Sequence, residues 1–93
     1  YVTQNMIKAV QYFTKAADFH NHQKSQAILG AIYYEGEEGI ERDLEKSIYY
    51  YTRATNNHDY VDPETLFNLG SIYYEKENFN IEKAIKYVLI KIF

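Results

Sequence analysis

An all-α fold of stacked antiparallel helix pairs is what this sequence predicts, and three observations predict it. Four Gly and one Pro in 93 residues leave few chain breakers, which favours long helices over a turn-rich sheet. No short window alternates apolar and polar side chains strictly, so half-buried strands are not expected. Two sequence units also recur, interleaved along the chain. The first is Asn5-Met6-Ile7-Lys8-Ala9-Val10-Gln11-Tyr12, repeated as Asp43-Leu44-Glu45-Lys46-Ser47-Ile48-Tyr49-Tyr50 and Asn80-Ile81-Glu82-Lys83-Ala84-Ile85-Lys86-Tyr87, at offsets of 38 and 37 residues. The second, Leu29-Gly30-Ala31-Ile32-Tyr33-Tyr34-Glu35, returns as Leu69-Gly70-Ser71-Ile72-Tyr73-Tyr74-Glu75 at an offset of 40. Repetition at such a period is the mark of an array in which each unit buries its apolar face only against its neighbours.

Five helices follow in order. The first is expected over 5–19, with Asn5 as its N-cap. The second, over 23–35, follows the polar linker His20-Asn21-His22. A linker from Gly36 to Arg42 leads to the third, over 43–55. There Asp43 can accept from the free N–H groups of the first turn, and Leu44, Ile48 and Tyr51 share one face. After Asn56 to Val61, the run Asp62-Pro63-Glu64 is a strong start for the fourth, over 63–76. It supplies a capping Asp, Pro at the first helical position and an acid near the positive end of the dipole. Leu69, Ile72 and Tyr73 then lie along one stripe. A short turn, Glu77 to Phe79, is expected before the fifth helix, over 80–92, capped by Asn80. Linkers of these lengths join antiparallel neighbours.

Composition narrows the function. The chain carries 13 acidic and 10 basic residues, net charge −3, and no Cys. A disulfide or a thiolate zinc site is therefore excluded. The negative balance argues against a nucleic-acid surface, which needs a basic footprint. No apolar run is long enough to span a membrane, and no helix pairs a Lys/Arg-rich face with an apolar one. Eleven Tyr and five Phe with no Trp reflect either compositional bias or an aromatic binding surface. No nucleophile motif, phosphate-cradling loop or metalloprotease signature occurs. His20 and His22, with His58 and Asp59, read as solvated linker residues rather than metal ligands. Glu37-Glu38 and Glu75 with Glu77 read as an acidic rim rather than a hydrolytic pair. No cofactor, metal or catalytic residue is assigned.

Leu29-Gly30, Tyr33, Gly36, Gly39-Ile40, Asp43, Lys46-Ser47, Tyr50 and Ala54 resemble the Sel-one-like repeat, a member of the tetratricopeptide superfamily. The run Gly39-Ile40-Glu41-Arg42-Asp43-Leu44-Glu45-Lys46 is its most specific part. The resemblance covers nearly the whole chain, as about two and a half repeats. It departs at the extra residue in Gly36-Glu37-Glu38-Gly39, at the Gly-free Glu75-Lys76-Glu77-Asn78-Phe79, and at Lys91, where Ala16 and Ala54 stand in the other copies. The resemblance implies a right-handed α-α superhelix, one helical-repeat domain over 1–93, with a helix at 5–19 and repeats at 23–55 and 63–92. Gly30 and Gly70, costly in mid-helix, are expected to admit an aromatic of the partner helix, Tyr50 or Tyr87. Ala9, Ala16, Ala17, Ala54 and Ala84 are expected as small contacts between helices. Gly36 and Gly39 are expected at positive φ. Fewer than three repeats, with apolar residues from Val88 to Phe93, suggest an excerpt of a longer array whose ends are covered by further repeats or another chain.

By the same resemblance, the first helix of each pair lines a concave face that holds partner peptides or domains. The facing residues would be Lys24, Ala27, Ala31, Tyr34 and Glu35, then Glu64, Phe67, Ser71, Tyr74 and Glu75. Tyr34 and Tyr74 are the expected anchors, since large stiff aromatics dominate interfaces. Glu35 and Glu75 beside them would favour a basic partner. The expected function is a protein-binding adaptor or scaffold without catalysis, in a soluble, cytoplasmic setting. The family includes adaptors in protein quality control, activators of cell-wall synthesis and bacterial proteins acting on host cells. The alternative is an architectural segment of a larger assembly, with its surfaces fixed as subunit contacts. Exposure of Tyr34 and Tyr74 would favour the adaptor.

Overall fold

A computed structural model describes residues 2–56 and 58–92, with the side chains at 2, 3, 83, 87 and 90–92 outside the description. Four helices follow one another: α1 (Val2–His20), α2 (Gln23–Glu35), α3 (Leu44–Asn56) and α4 (Pro63–Ile92). The one pairing of extended backbone among the described residues is an isolated bridge between Glu37 and Ile40. The expected all-α solenoid is the fold observed.

The caps explain most of the boundaries. Asp43 Oδ1 accepts from Lys46 N–H at 3.0 Å and starts α3. Asp62 Oδ1 accepts from Glu64 N–H at 3.0 Å, with Pro63 as the first residue of α4. His22 caps α2, its Nδ1 accepting from Ser25 N–H at 3.2 Å. Histidine is not among the usual N-caps, so its role was not read from the sequence. Between α2 and α3, Gly36 (φ 72°) and Gly39 (φ 84°) both hold the left-handed conformation expected of them. A Cβ on Gly36 would also meet the Arg42 backbone N at 3.1 Å.

Each helix runs antiparallel to the next. The end of α2 meets the start of α3 where Asp43 N–H donates to Tyr33 O at 2.8 Å. The start of α2 meets the end of α3 where Gln23 Nε2 donates to Ala54 O at 2.9 Å. The core shared by α1, α2 and α3 is Val10, Ala17, Leu29 and Tyr50, backed by Met6, Phe13, Ile32 and Tyr33. Tyr33 and Tyr50 stack at 6.1 Å between ring centroids. Buried Gln26 gives its amide N–H groups to Ala17 O and Asn21 Oδ1, and its oxygen lies 2.9 Å from His58 Nε2. Among the described residues no buried side-chain polar atom lacks a partner. Isolated helices of this length are marginal in water, so these contacts carry the fold.

Three expectations need correction. First, α1 begins at Val2, so Asn5 lies inside the helix and is exposed. Second, the helix over 63–76, the turn at Glu77–Phe79 and the helix over 80–92 form one helix of 30 residues. Asn80 is interior to it and caps nothing. The intervening residues include neither Gly nor Pro, so nothing local stops the helix, and a turn there would need a tertiary contact to repay the broken bonds. The first half of α4 packs, with Thr65 and Ile72 buried. The second half leaves Phe79, Ile81, Ile85, Val88 and Leu89 exposed, and Ala84 with them. Third, Gly30 receives Tyr51, not Tyr50. A Cβ on Gly30 would stand 2.7 Å from the Tyr51 ring, whereas a Cβ on Gly70 would meet no atom within 4 Å. The Tyr87 side chain, expected against Gly70, lies outside the described residues.

Two matched glycines therefore predict opposite outcomes. Gly30→Ala is expected to cost about 1–3 kcal/mol by overpacking. Gly70→Ala is expected to stabilise by up to about 1 kcal/mol through helix propensity. Urea denaturation of the two variants distinguishes the signs. A second expectation concerns alkaline pH. Burial, and then the negative charge of Asp18, push the Tyr50 hydroxyl from 10.0 up to about 12. The folded chain keeps a proton that the unfolded chain releases, so stability holds below pH 10 and falls as pH rises towards 12. Tyr50→Phe should make that fall shallower, read as melting temperature between about pH 9 and about pH 11.

Candidate functional site

The ten residues expected on a partner-binding face come from α2 and the first half of α4. These two helices lie side by side and run the same way, because each is antiparallel to α3. At the N-terminal end, Lys24, Ala27 and Ala31 share an open cleft of about 200 Å³ with Glu64. Tyr51 also lines it, and Tyr51 accepts from Asn68 Nδ2 at 3.4 Å, so a core residue of the first repeat also reaches the second. Small side chains at 27 and 31 leave this furrow open.

At the other end the helices are tied together. Tyr34 hydroxyl donates to Glu75 Oε2 at 2.9 Å. Arg42 Nη2 donates to Glu75 Oε1 at 2.7 Å, and its Nε donates to Tyr34 O at 2.7 Å. The guanidinium also sits over the Tyr34 ring, 5.1 Å from its centroid. Hydrogen bonds from Arg42 and then Tyr34 hold the Glu75 carboxyl below its ordinary value. The bond to Glu75 raises Tyr34 above its own. Next to this cluster, Lys76 Nζ lies 2.6 Å from Glu45 Oε1 and joins α4 to the first turn of α3.

This clamp changes the roles expected of Tyr34 and Glu75. Tyr34 is half-buried and spans two helices; it is not a free anchor. Glu75, expected to favour a basic partner, already faces Arg42. The Tyr34–Glu75 bond joins residues 41 apart in the chain and the Arg42–Glu75 pair residues 33 apart, beyond any local sequence pattern. Arg42 lies in the α2–α3 linker, outside the helical periodicity that marks facing residues. Phe67 and Tyr74 are instead the exposed aromatics of the face, at 73% and 71%. Ser71 lies between them and bonds back to Phe67 O at 2.9 Å. Glu35 is exposed at the C-terminal end of α2.

Two of the three histidines serve the fold. His22 caps α2 and His58 meets buried Gln26. Among the described residues no group of three His, Asp or Glu could hold a metal ion. No helix among them is long and apolar enough to cross a membrane.

Antiparallel helices stacked in sequence order, with matched first helices side by side, define a helical-repeat solenoid. The chain belongs to the Sel1 repeat family, whose pattern matches residues 1–18, 23–59 and 63–89. Sel1 repeats generally mediate protein–protein interaction. The chain is 32% identical over 72 residues to chitin synthase regulatory factor 2 of Schizosaccharomyces pombe. The match takes in 77% of this chain and 14% of that protein's length. No solved structure matches the chain.

The clamp predicts a dependence on acid. Glu75 has a lowered value when folded, so its contribution is present above the ordinary 4.5 and lost as pH falls below it. The ion pair is partly exposed, so Glu75→Gln should cost no more than about 1 kcal/mol at neutral pH. The gap between wild type and variant should close as acid is added, as read by urea denaturation at several pH values.

Proposed function

We propose that this chain is a protein-interaction module, an adaptor or scaffold without catalysis, and that its partner lies along the furrow between α2 and α4. The observation that carries this reading is the furrow itself. Lys24, Ala27 and Ala31 from one repeat and Glu64 from the next line a single open cleft. Phe67 and Tyr74 stand exposed on α4. Small residues on the floor admit a peptide backbone or side chains, and stiff aromatics at the edge supply contact area at low entropic cost. Glu35 and Glu64, which make no ion pair among the described residues, favour a basic segment in the partner. Tyr34, Arg42 and Glu75 act as the clamp that fixes the spacing of the furrow walls. The similarity to a chitin synthase regulatory factor supports a role exerted on another protein. An architectural role draws its support elsewhere, from the exposed apolar residues Phe79, Ile81, Ile85, Val88 and Leu89.

Affinity purification with variant baits tests the reading. Ala31→Arg, which fills the furrow, and Phe67→Ala should lose captured proteins that wild type retains. Tyr12→Ala, on α1 and 70% exposed in the wild type, should retain them. Helical circular dichroism should stay unchanged in all three. Capture that survives Ala31→Arg and Phe67→Ala but fails with Val88→Asp would favour the architectural role.

A further inference from the structure

The first repeat shows what covers a Leu-Gly helix. Tyr51 fills the notch at Gly30, and Ser47 Oγ donates to Gly30 O at 2.6 Å. In the second repeat the counterpart notch at Gly70 is open. The repeat offsets name the residues that should cover it: Val88 stands for Tyr51 and Ala84 for Ser47. Both are exposed. They lie on the same helix as Gly70, so they cannot reach it: 14 to 18 residues of helix place them about 21 to 27 Å away along its axis.

We infer that a second copy of this chain supplies them, the two α4 helices pairing antiparallel so that residues 80–92 of each cover the Gly70 notch of the other. Two geometric facts carry this. Successive residues of a helix turn by about 100°, so Leu66, Gly70, Tyr73, Glu77, Ile81, Ala84 and Val88 fall within about 60° of one line along α4. The notch and the residues that fit it therefore face the same side of one continuous helix, as an antiparallel pair of such helices requires. The pairing also closes on itself. Matching Gly70 with Val88 would put the midpoint at Phe79 and with Ala84 at Glu77, so one two-fold axis crossing near Asn78 seats Gly70 between the two. Leu66, Tyr73, Ile81 and Val88, each about half exposed, would all be covered. This surface is separate from the α2–α4 furrow and does not depend on what binds there.

The absence of Cys allows a direct test. Tyr73→Cys chains are mixed with Ala84→Cys chains and treated with a short bis-maleimide. Positions 73 and 84 lie about 16 Å apart along one continuous helix, but become neighbours across the proposed pair. A cross-linked species of twice the chain mass is expected from the mixture and not from either variant alone. Sedimentation of the wild-type chain should show a concentration-dependent dimer. Val88→Asp should weaken it at least about tenfold without loss of helical circular dichroism, since Val88 is exposed in the single chain. Three results would overturn the inference. One is a monomer at all concentrations up to about 1 mM. Another is a Tyr73→Cys/Ala84→Cys double variant that links only within one chain, which would mean that α4 folds back on itself. The third is a dimer that survives Val88→Asp with no link in the mixture, which would place the contact elsewhere.

Discussion

Tyr51 lies across Gly30 with its ring atoms 2.7–2.8 Å from where a β-carbon would stand. No other residue type could occupy position 30 without moving α3 or the ring. The gap left by the missing side chain sets how closely α2 and α3 approach. It also lets Ser47 reach the Gly30 carbonyl in a buried hydrogen bond. With that separation fixed, Leu29 and Tyr50 meet Val10 and Ala17 of α1 on one side. On the other side the Tyr51 hydroxyl meets Asn68 of α4. One ring thus fills the notch of its own repeat, forms part of the furrow wall and contacts the next repeat.

Much of this was legible because it is local. Aspartates at 43 and 62 cap helices by reaching two or three residues ahead, and such contacts are written in short stretches of sequence. Gly36 and Gly39 hold positive φ in the turn that the pattern marks. The choice between Tyr50 and Tyr51 was not legible. Adjacent residues on a helix point about 100° apart, and the crossing of α2 with α3 decides which of them meets Gly30. The continuity of α4 was hidden for a related reason. Repeats place a turn at Glu77–Phe79, but those residues have no breaker, and only a tertiary contact could enforce one. The Tyr34–Arg42–Glu75 clamp joins a helix end, a linker and a later helix, so no periodicity points to it.

Stacking also explains how the furrow arises without any residue being reserved for it. Because α3 intervenes in sequence, α2 and α4 run in the same direction and present equivalent positions side by side. Position 27 or 31 of one repeat and position 64 of the next then share a cleft. The core-facing stripe of each helix secures the stack, and the opposite stripe is free to vary in chemistry. Among the residues expected there, the structure divides labour. Tyr34 and Glu75 hold the walls together, while Phe67 and Tyr74 stay exposed.

Gln26 carries a consequence for how the stack avoids error. Apolar helix contacts tolerate sliding: a helix displaced by one turn along its neighbour still buries Leu and Ile against other aliphatics. A buried amide does not tolerate it. Gln26 is fully enclosed, and it is satisfied by Ala17 O, Asn21 Oδ1 and His58 together. A one-turn slip would strand that amide without partners, at a desolvation cost of about 1–3 kcal/mol. The three partners come from the end of α1, the α1–α2 linker and the α3–α4 linker. A single side chain therefore works as a detent, penalising slippage of α2 at the end of the molecule where both linkers meet.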